Sequence, residues 1–368
     1  MNSLEEPGLG FADIRATIPA RSYERSVTWA LSLAAGTLAL YGGLTWLTYQ
    51  TDSLILLAVL AVARGLAVGP VFIVAHDACH DSLSPSTRLN YWLGRLCFLP
   101  SWHSFTAWKV RHNHLHHRHT NILELDPGYA PASPAQYQAW SPGQRLRYRL
   151  SRTLPGAALL YLPEALKGQI FPSRQLREEF GRIDARYTME WLCVWLWIAV
   201  ELALFSGLAA AVGAVPPSPQ PALALVGAFL LTHLAWNWQM GFTTFLHHFH
   251  PDIAWHSEKD APPAPQRQLE CTAHADLGTA MHLPMLNIFV HTAHHVDTRI
   301  PLYRLQIAQR ALEQQFAPQV ARWKFAPATA LRCFRECQLW DPAQGQWQSF
   351  HHACGKSNFP ASLKAADE

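Results

Sequence analysis

Four stretches of the chain, near residues 27–48, 54–75, 191–213 and 222–246, are each long and apolar enough to cross a bilayer, which takes about 20 residues of helix. A backbone in hydrocarbon has no water to bond. Such a stretch is therefore confined to a helix that satisfies its own N–H and C=O groups. Residues 49–53 alone separate the first two stretches, and residues 214–221 the last two, so the spans pair as two hairpins. The expected fold is an all-α integral membrane protein with four transmembrane helices in two hairpins and a cytoplasmic helical cap. Charged residues make up 15% of the 368, against roughly a quarter in soluble proteins.

Neither short turn carries Lys or Arg. The segment between the hairpins carries many, from Arg88, Arg95 and Lys109 to Arg182 and Arg186, and the C-terminal part adds Lys259 to Lys324. The excess of positive charge on cytoplasmic loops then puts both termini and the middle segment in the cytoplasm. Residues 1–26 form a polar cytoplasmic segment without the basic start and apolar core of a secretion signal. One membrane domain is expected over 27–350, followed by a tail, 351–368, that is expected to be disordered. Residues 91–107 are apolar but too short and proline-interrupted to span, and read as a helix lying in the interface or re-entering it. The 7 cysteines are odd in number, scattered and free of CxxC pairs, as in reduced proteins. A net charge of +3 gives no case for nucleic acid.

None of the 20 histidines precedes His76. Three clusters follow: His76-Asp-Ala-Cys-His80, His112-Asn-His-Leu-His116-His117, and His291-Thr-Ala-His294-His295. Histidines three or four apart share a helical face, and imidazole is the commonest nitrogen ligand for Zn, Cu, Fe and Ni. Eight such donors exceed the need of one ion and suit two. By the Lys/Arg topology all three clusters fall on the cytoplasmic side. The bland reading of the second cluster is an exposed histidine-rich loop. There is no HExxH, nucleophile elbow, Walker loop or dinucleotide fingerprint to compete.

The clusters resemble the histidine boxes of the membrane fatty acid desaturase family, in its bacterial and plastid acyl-lipid, Δ12-like form. His76-Asp-Ala-Cys-His80-Asp-Ser is similar to the first box. Trp108-Lys-Val-Arg-His112 through His117-Arg-His-Thr120-Asn121 is similar to the second. Asn287-Ile-Phe-Val-His291 through Ile300-Pro301-Leu-Tyr303 is similar to the third, and Cys337-Gln-Leu-Trp-Asp341 to the end of the domain. The resemblance implies two histidine-bound irons, O2, an external electron donor such as ferredoxin or cytochrome b5, and a double bond introduced into a fatty acid, acyl-lipid or acyl-carrier substrate. It adds a ligand near the end of the last span, His248, with His247 second. The implied metal ligands are His76, His80, His112, His116, His117, His248, His291, His294 and His295. The second box has one residue more between His112 and the pair than the usual HxxHH, which leaves His114 in reserve. Supporting or reserve roles fall to His247, His103, Asn121, Asp126 and Asn287. The same scaffold could hydroxylate, acetylenate, oxygenate a carotenoid or decarboxylate a fatty acid to an alkene. A membrane metal or lipid sensor is the non-enzymatic alternative. Arg64 and Glu201, both within spans, read as a structural ion pair. His250 and His351-His352 read as surface residues.

Overall fold

The computed structural model describes residues 9–126, 130–164, 169–170 and 185–353. The expected disordered tail from 354 onward lies outside them, as do Lys167, Arg174, Arg177 and Arg182 of the middle segment. The described chain is mostly helical. Helix α1, Val27–Gln50, starts where Ser26 Oγ accepts from Trp29 N–H. Helix α2, Leu54–Cys79, starts where Ser53 Oγ accepts from Leu56 N–H. A serine before an apolar run supplies the acceptor that the first free N–H groups need. Helix α3, Thr87–Phe98, and helix α4, Phe105–Lys109, follow. The expected single interfacial helix is thus broken. Pro100 sits in a 3-10 turn and Trp102 is left-handed at φ 61°.

Helix α5, Ala185–Phe205, ends short of residue 213. Gly207, at φ +80°, stops it before a separate turn, Leu208–Ala211. Helix α6 is Ala222–His248, 27 residues. Three helices, α1, α2 and the Tyr187–Phe205 part of α5, are long and apolar enough to cross a membrane. Helix α6 has the length, but His233, Asn237 and Gln239 reduce its apolarity, and all three are buried.

Helices α2 and α6 form the central pair. A Cβ at position 65 would lie 2.3 Å from Thr232 O, and one at 69 would lie 2.6 Å from the Gln239 carboxamide. Glycine is what lets the helices approach this closely. Arg64 in α2 is fully buried and pairs with Glu201 in α5. Tyr41 OH donates to Glu201, Arg64 Nε donates to Thr45 Oγ1 at 2.9 Å, and Trp102 Nε1 donates to Glu201 Oε2 at 3.0 Å. This network ties α1, α2 and α5 to the segment after α3.

The cap departs from the all-helical expectation. It contains helix α7, Ala264–Glu270, helix α8, His291–Val296, and helix α9, Leu305–Gln315. It also contains two small sheets. Strand β1, His274–Asp276, pairs parallel with β2, Arg322–Lys324, and β3, Leu339–Asp341, pairs antiparallel with β4, Gln346–Gln348. The alternating Leu-Trp-Asp and Gln-Trp-Gln runs flank a turn closed by Gly345 at φ +60°, a hairpin pattern. The N-terminal segment packs on the cap: Arg15 Nε meets Asp297 at 3.1 Å, and Tyr303 OH accepts from Ser26 N–H at 2.8 Å.

Candidate metal centre

The histidine-bearing segments converge at one end of the α2–α6 pair. His76 and His80 come from the end of α2, and His248 from the end of α6. Short helix α8 carries His291, His294 and His295. The second cluster lies on a π-helix, Val110–His116, continuous with α4. There His117 N–H donates to His112 O at 2.9 Å, five residues back. That wide turn absorbs the extra residue of the sequence. It puts His112 and His117 on one face, as a regular helix would put residues four apart.

Two groups result. His76, His80, His112, His117 and His294 bring ring nitrogens within 4.8 Å of one another, and His116, His248, His291 and His295 do the same. The adjacent pairs divide: His116 and His295 serve the second group, His117 and His294 the first. His114 is exposed and lies in neither group. His247 stacks on His291 with ring centroids 3.7 Å apart. His103 faces Ser101 and Tyr161 instead. Asn287 braces a loop, donating to Leu302 O at 2.9 Å. His250 stacks on Trp323, away from the site.

The donor geometry fits metal ions. His117 Nε2 lies 3.1 Å from both His112 Nε2 and His294 Nε2. His76 Nε2 and His112 Nε2 are 2.7 Å apart, and His248 Nε2 and His291 Nε2 3.1 Å. One ring nitrogen offers either a single N–H or a single lone pair, so hydrogen bonds cannot satisfy such a set. Two ligands about 2.1 Å from one cation, at right angles, stand about 3 Å apart. His80 Nε2 and His295 Nε2 are buried without any partner, an expensive arrangement unless they bind something.

Three rings of the second group have their opposite edge held. His116 Nδ1–H donates to Asp126 Oδ1 at 2.9 Å, while Asp126 Oδ2 accepts from Asn121 N–H at 2.9 Å. His248 Nδ1–H donates to Asn121 Oδ1 at 3.0 Å, and His295 Nδ1–H to Gln268 Oε1 at 2.9 Å. Fixing Nδ1 as the donor leaves each Nε2 as a lone pair aimed inward. Burial and the neighbouring imidazoles hold the pKa values of His112, His117, His291, His294 and His295 well below the usual histidine range. These rings are therefore neutral and ready to coordinate at pH 7. Gln268 is a supporting residue that sequence reasoning missed. It sits in α7, far from any cluster, and no local pattern marks it.

Beside both groups lies a cavity whose walls include Gly69, Phe72, Trp236, Gln239, Met285 and Ile288, together with His76 and His112 of the first group and His116, His248 and His291 of the second. Its walls are mostly apolar, with histidines at one end only. Fold and site together define a helical protein with long apolar helices and two adjoining histidine groups able to hold metal, beside an apolar cavity.

A fatty acid desaturase family model matches residues 53–327, and the chain belongs to that family. It is 28% identical to an sn-1 oleoyl-lipid 12-desaturase of Synechocystis sp. over 348 residues, 92% of this chain and 91% of the relative. It is 25% identical to a chloroplastic omega-6 fatty acid desaturase of spinach, over 81% of this chain and 62% of that one. A ferredoxin-named sn-1 acyl-lipid omega-3 desaturase of Nostoc sp. is 24% identical, over 82% and 79%.

Proposed function

We propose that the chain is a multi-pass membrane enzyme that inserts a double bond into the acyl chain of a membrane lipid at a pair of histidine-bound irons. One observation carries the reading: nine inward-facing imidazoles in two adjoining groups stand at the end of an apolar cavity. All-nitrogen sites suit iron, copper or zinc; family membership selects iron, which when bound would supply the activation of O2 that strips hydrogen from an unactivated methylene.

The chain's own residues do the rest. Asp126, Asn121 and Gln268 hold His116, His248 and His295 in the tautomer that ligates. Phe72, Trp236 and Ile288 exclude water and hold the chain straight past the histidines. Near-attack placement of one C–C bond is the larger part of what such a site contributes. Residues 27–350 form the catalytic domain. Four helices span the membrane, α6 included, because its polar residues face inward. Contact of the N-terminal segment with Asp297 and Tyr303, beside the third cluster, supports placing the N-terminus and the centre on one side, the cytoplasmic one. A small acidic one-electron carrier such as ferredoxin supplies the reducing equivalents, in keeping with the Nostoc relative's name.

The test is lipid profiling of a host that expresses the chain with a ferredoxin system. A product of unchanged carbon number that has lost two hydrogens is expected. An alkene one carbon shorter, an added oxygen, or no product from protein holding two irons overturns the proposal.

A further inference from the structure

One wall of the cavity belongs to a segment that the metal centre does not use. Buried His282 meets Asp276 Oδ1 at 3.5 Å, and Asn287 is held by Leu302 O and by Gln306, each at 2.9 Å. Asn287 N–H donates back to His282 O at 2.9 Å. Between these pins the chain turns tightly, with Leu286 at φ 45° and Asn287 at φ 60°, a conformation costly for a branched residue such as leucine. The outward side chains are apolar: Met281 is 51% exposed and Leu283 is 76% exposed. The inward ones, Met285 and Ile288, line the cavity.

The depth of this turn can be read from α6. At 27 residues the helix is about 40 Å long, against about 30 Å of hydrocarbon. Its last seven or so residues therefore project beyond the apolar band together with the histidines. Gln239 lies nine residues before His248, below that boundary, and its Nε2 donates to Met285 Sδ at 3.5 Å. A turn that starts from the cap thus reaches the level of the acyl chains. Leu283, two residues from Met285, presents its side chain outward at the edge of that level.

We propose that residues 281–288 dip into the cytoplasmic leaflet and form one side of a lateral opening. Through it the acyl chain of a bilayer glycerolipid slides into the cavity without its headgroup leaving the interface. This rests on the topology and substrate class proposed above. The occupant is a lipid already in the membrane, because one short turn presents exposed Met281 and Leu283 on its outer side and cavity-lining Met285 and Ile288 on its inner side.

A spin label at Leu283→Cys, in a Cys193→Ser, Cys354→Ser background, reads the depth directly. Cys193 is the exposed thiol among the described free cysteines. In phosphatidylglycerol–phosphatidylcholine nanodiscs the label is expected to collide more with O2 than with a water-soluble nickel chelate. The reverse order overturns the proposal. Leu283→Glu is expected to slow turnover of oleoyl lipid in vesicles about tenfold, because a carboxylate resists entering the leaflet. With the same lipid in detergent micelles its rate should stay within about twofold of the unmodified protein. Equal loss in both settings also overturns the opening. Failure of the desaturase reading looks different: the unmodified protein turns over in neither setting, and the label's depth still decides whether the turn enters the leaflet.

Discussion

Replacing Asp126 by asparagine should loosen one metal of the pair and spare the other. Both carboxylate oxygens are engaged, Oδ1 by His116 Nδ1–H and Oδ2 by Asn121 N–H, each at 2.9 Å. An amide of the same shape can accept only one of these donors and turns its own NH2 toward the other. Either His116 loses its orienting acceptor, or the Asn121 segment moves and carries with it the partner of His248 Nδ1. Both outcomes fall on the group of four. Loss of such outer partners costs about 10–100-fold in metal affinity, or about 1.4–2.7 kcal/mol. The group of five has no contact with Asp126 and should keep its affinity. Anaerobic titration of the metal-free protein with 57Fe(II), read by Mössbauer spectroscopy and metal analysis, resolves the two steps. In Asp126→Asn one step should shift by one to two decades while the other stays. Equal weakening of both steps, or no change in either, would refute the division of the nine histidines into two sites.

Three further outcomes follow from the same coordinates. His294→Ala and His116→Ala should each abolish lipid desaturation while His250→Ala retains it, measured as diene formed per cell; full activity in His294→Ala would remove that ring from the site. Glu201→Gln should lower stability by about 3–5 kcal/mol, since it leaves buried Arg64 without its counter-charge; the double change Arg64→Met, Glu201→Leu should recover most of it in detergent thermal melts. Gly241→Ala should cost about 1–3 kcal/mol by overpacking, because its Cβ would lie 2.0 Å from Ala157 O. An unchanged melting temperature there would show that the two segments are not in contact.

The span starts were legible because polar residues give way to long apolar runs at Val27 and Leu54; the Ser26 and Ser53 caps emerged only in the structure. The α5 end was misjudged, since 206–213 stays apolar while Gly207 turns the backbone. Helix α6 looked like an ordinary span, yet it carries a buried polar stripe facing the bundle and cavity. The Arg64–Glu201 pair was readable because two opposite charges inside apolar runs have few alternatives. The histidines announced themselves by density and spacing. Their assignment to two groups did not, because it depends on where adjacent side chains diverge. The placing of His112, and not His114, in a histidine group depends on the π-turn, a backbone feature with no residue pattern of its own. Gln268 and the 281–288 turn reach the site only through tertiary packing, and nothing near them in sequence points there.

The division of the neighbours His116 and His117, and of His294 and His295, has a mechanical consequence. Each dipeptide reaches both groups, so the spacing between two ions held there would be set twice by covalent geometry. Loosening of the bundle by heat or detergent would then detach individual ligands before it altered the distance between the metals. The pair is geared to behave as one unit, even while the helices around it shift.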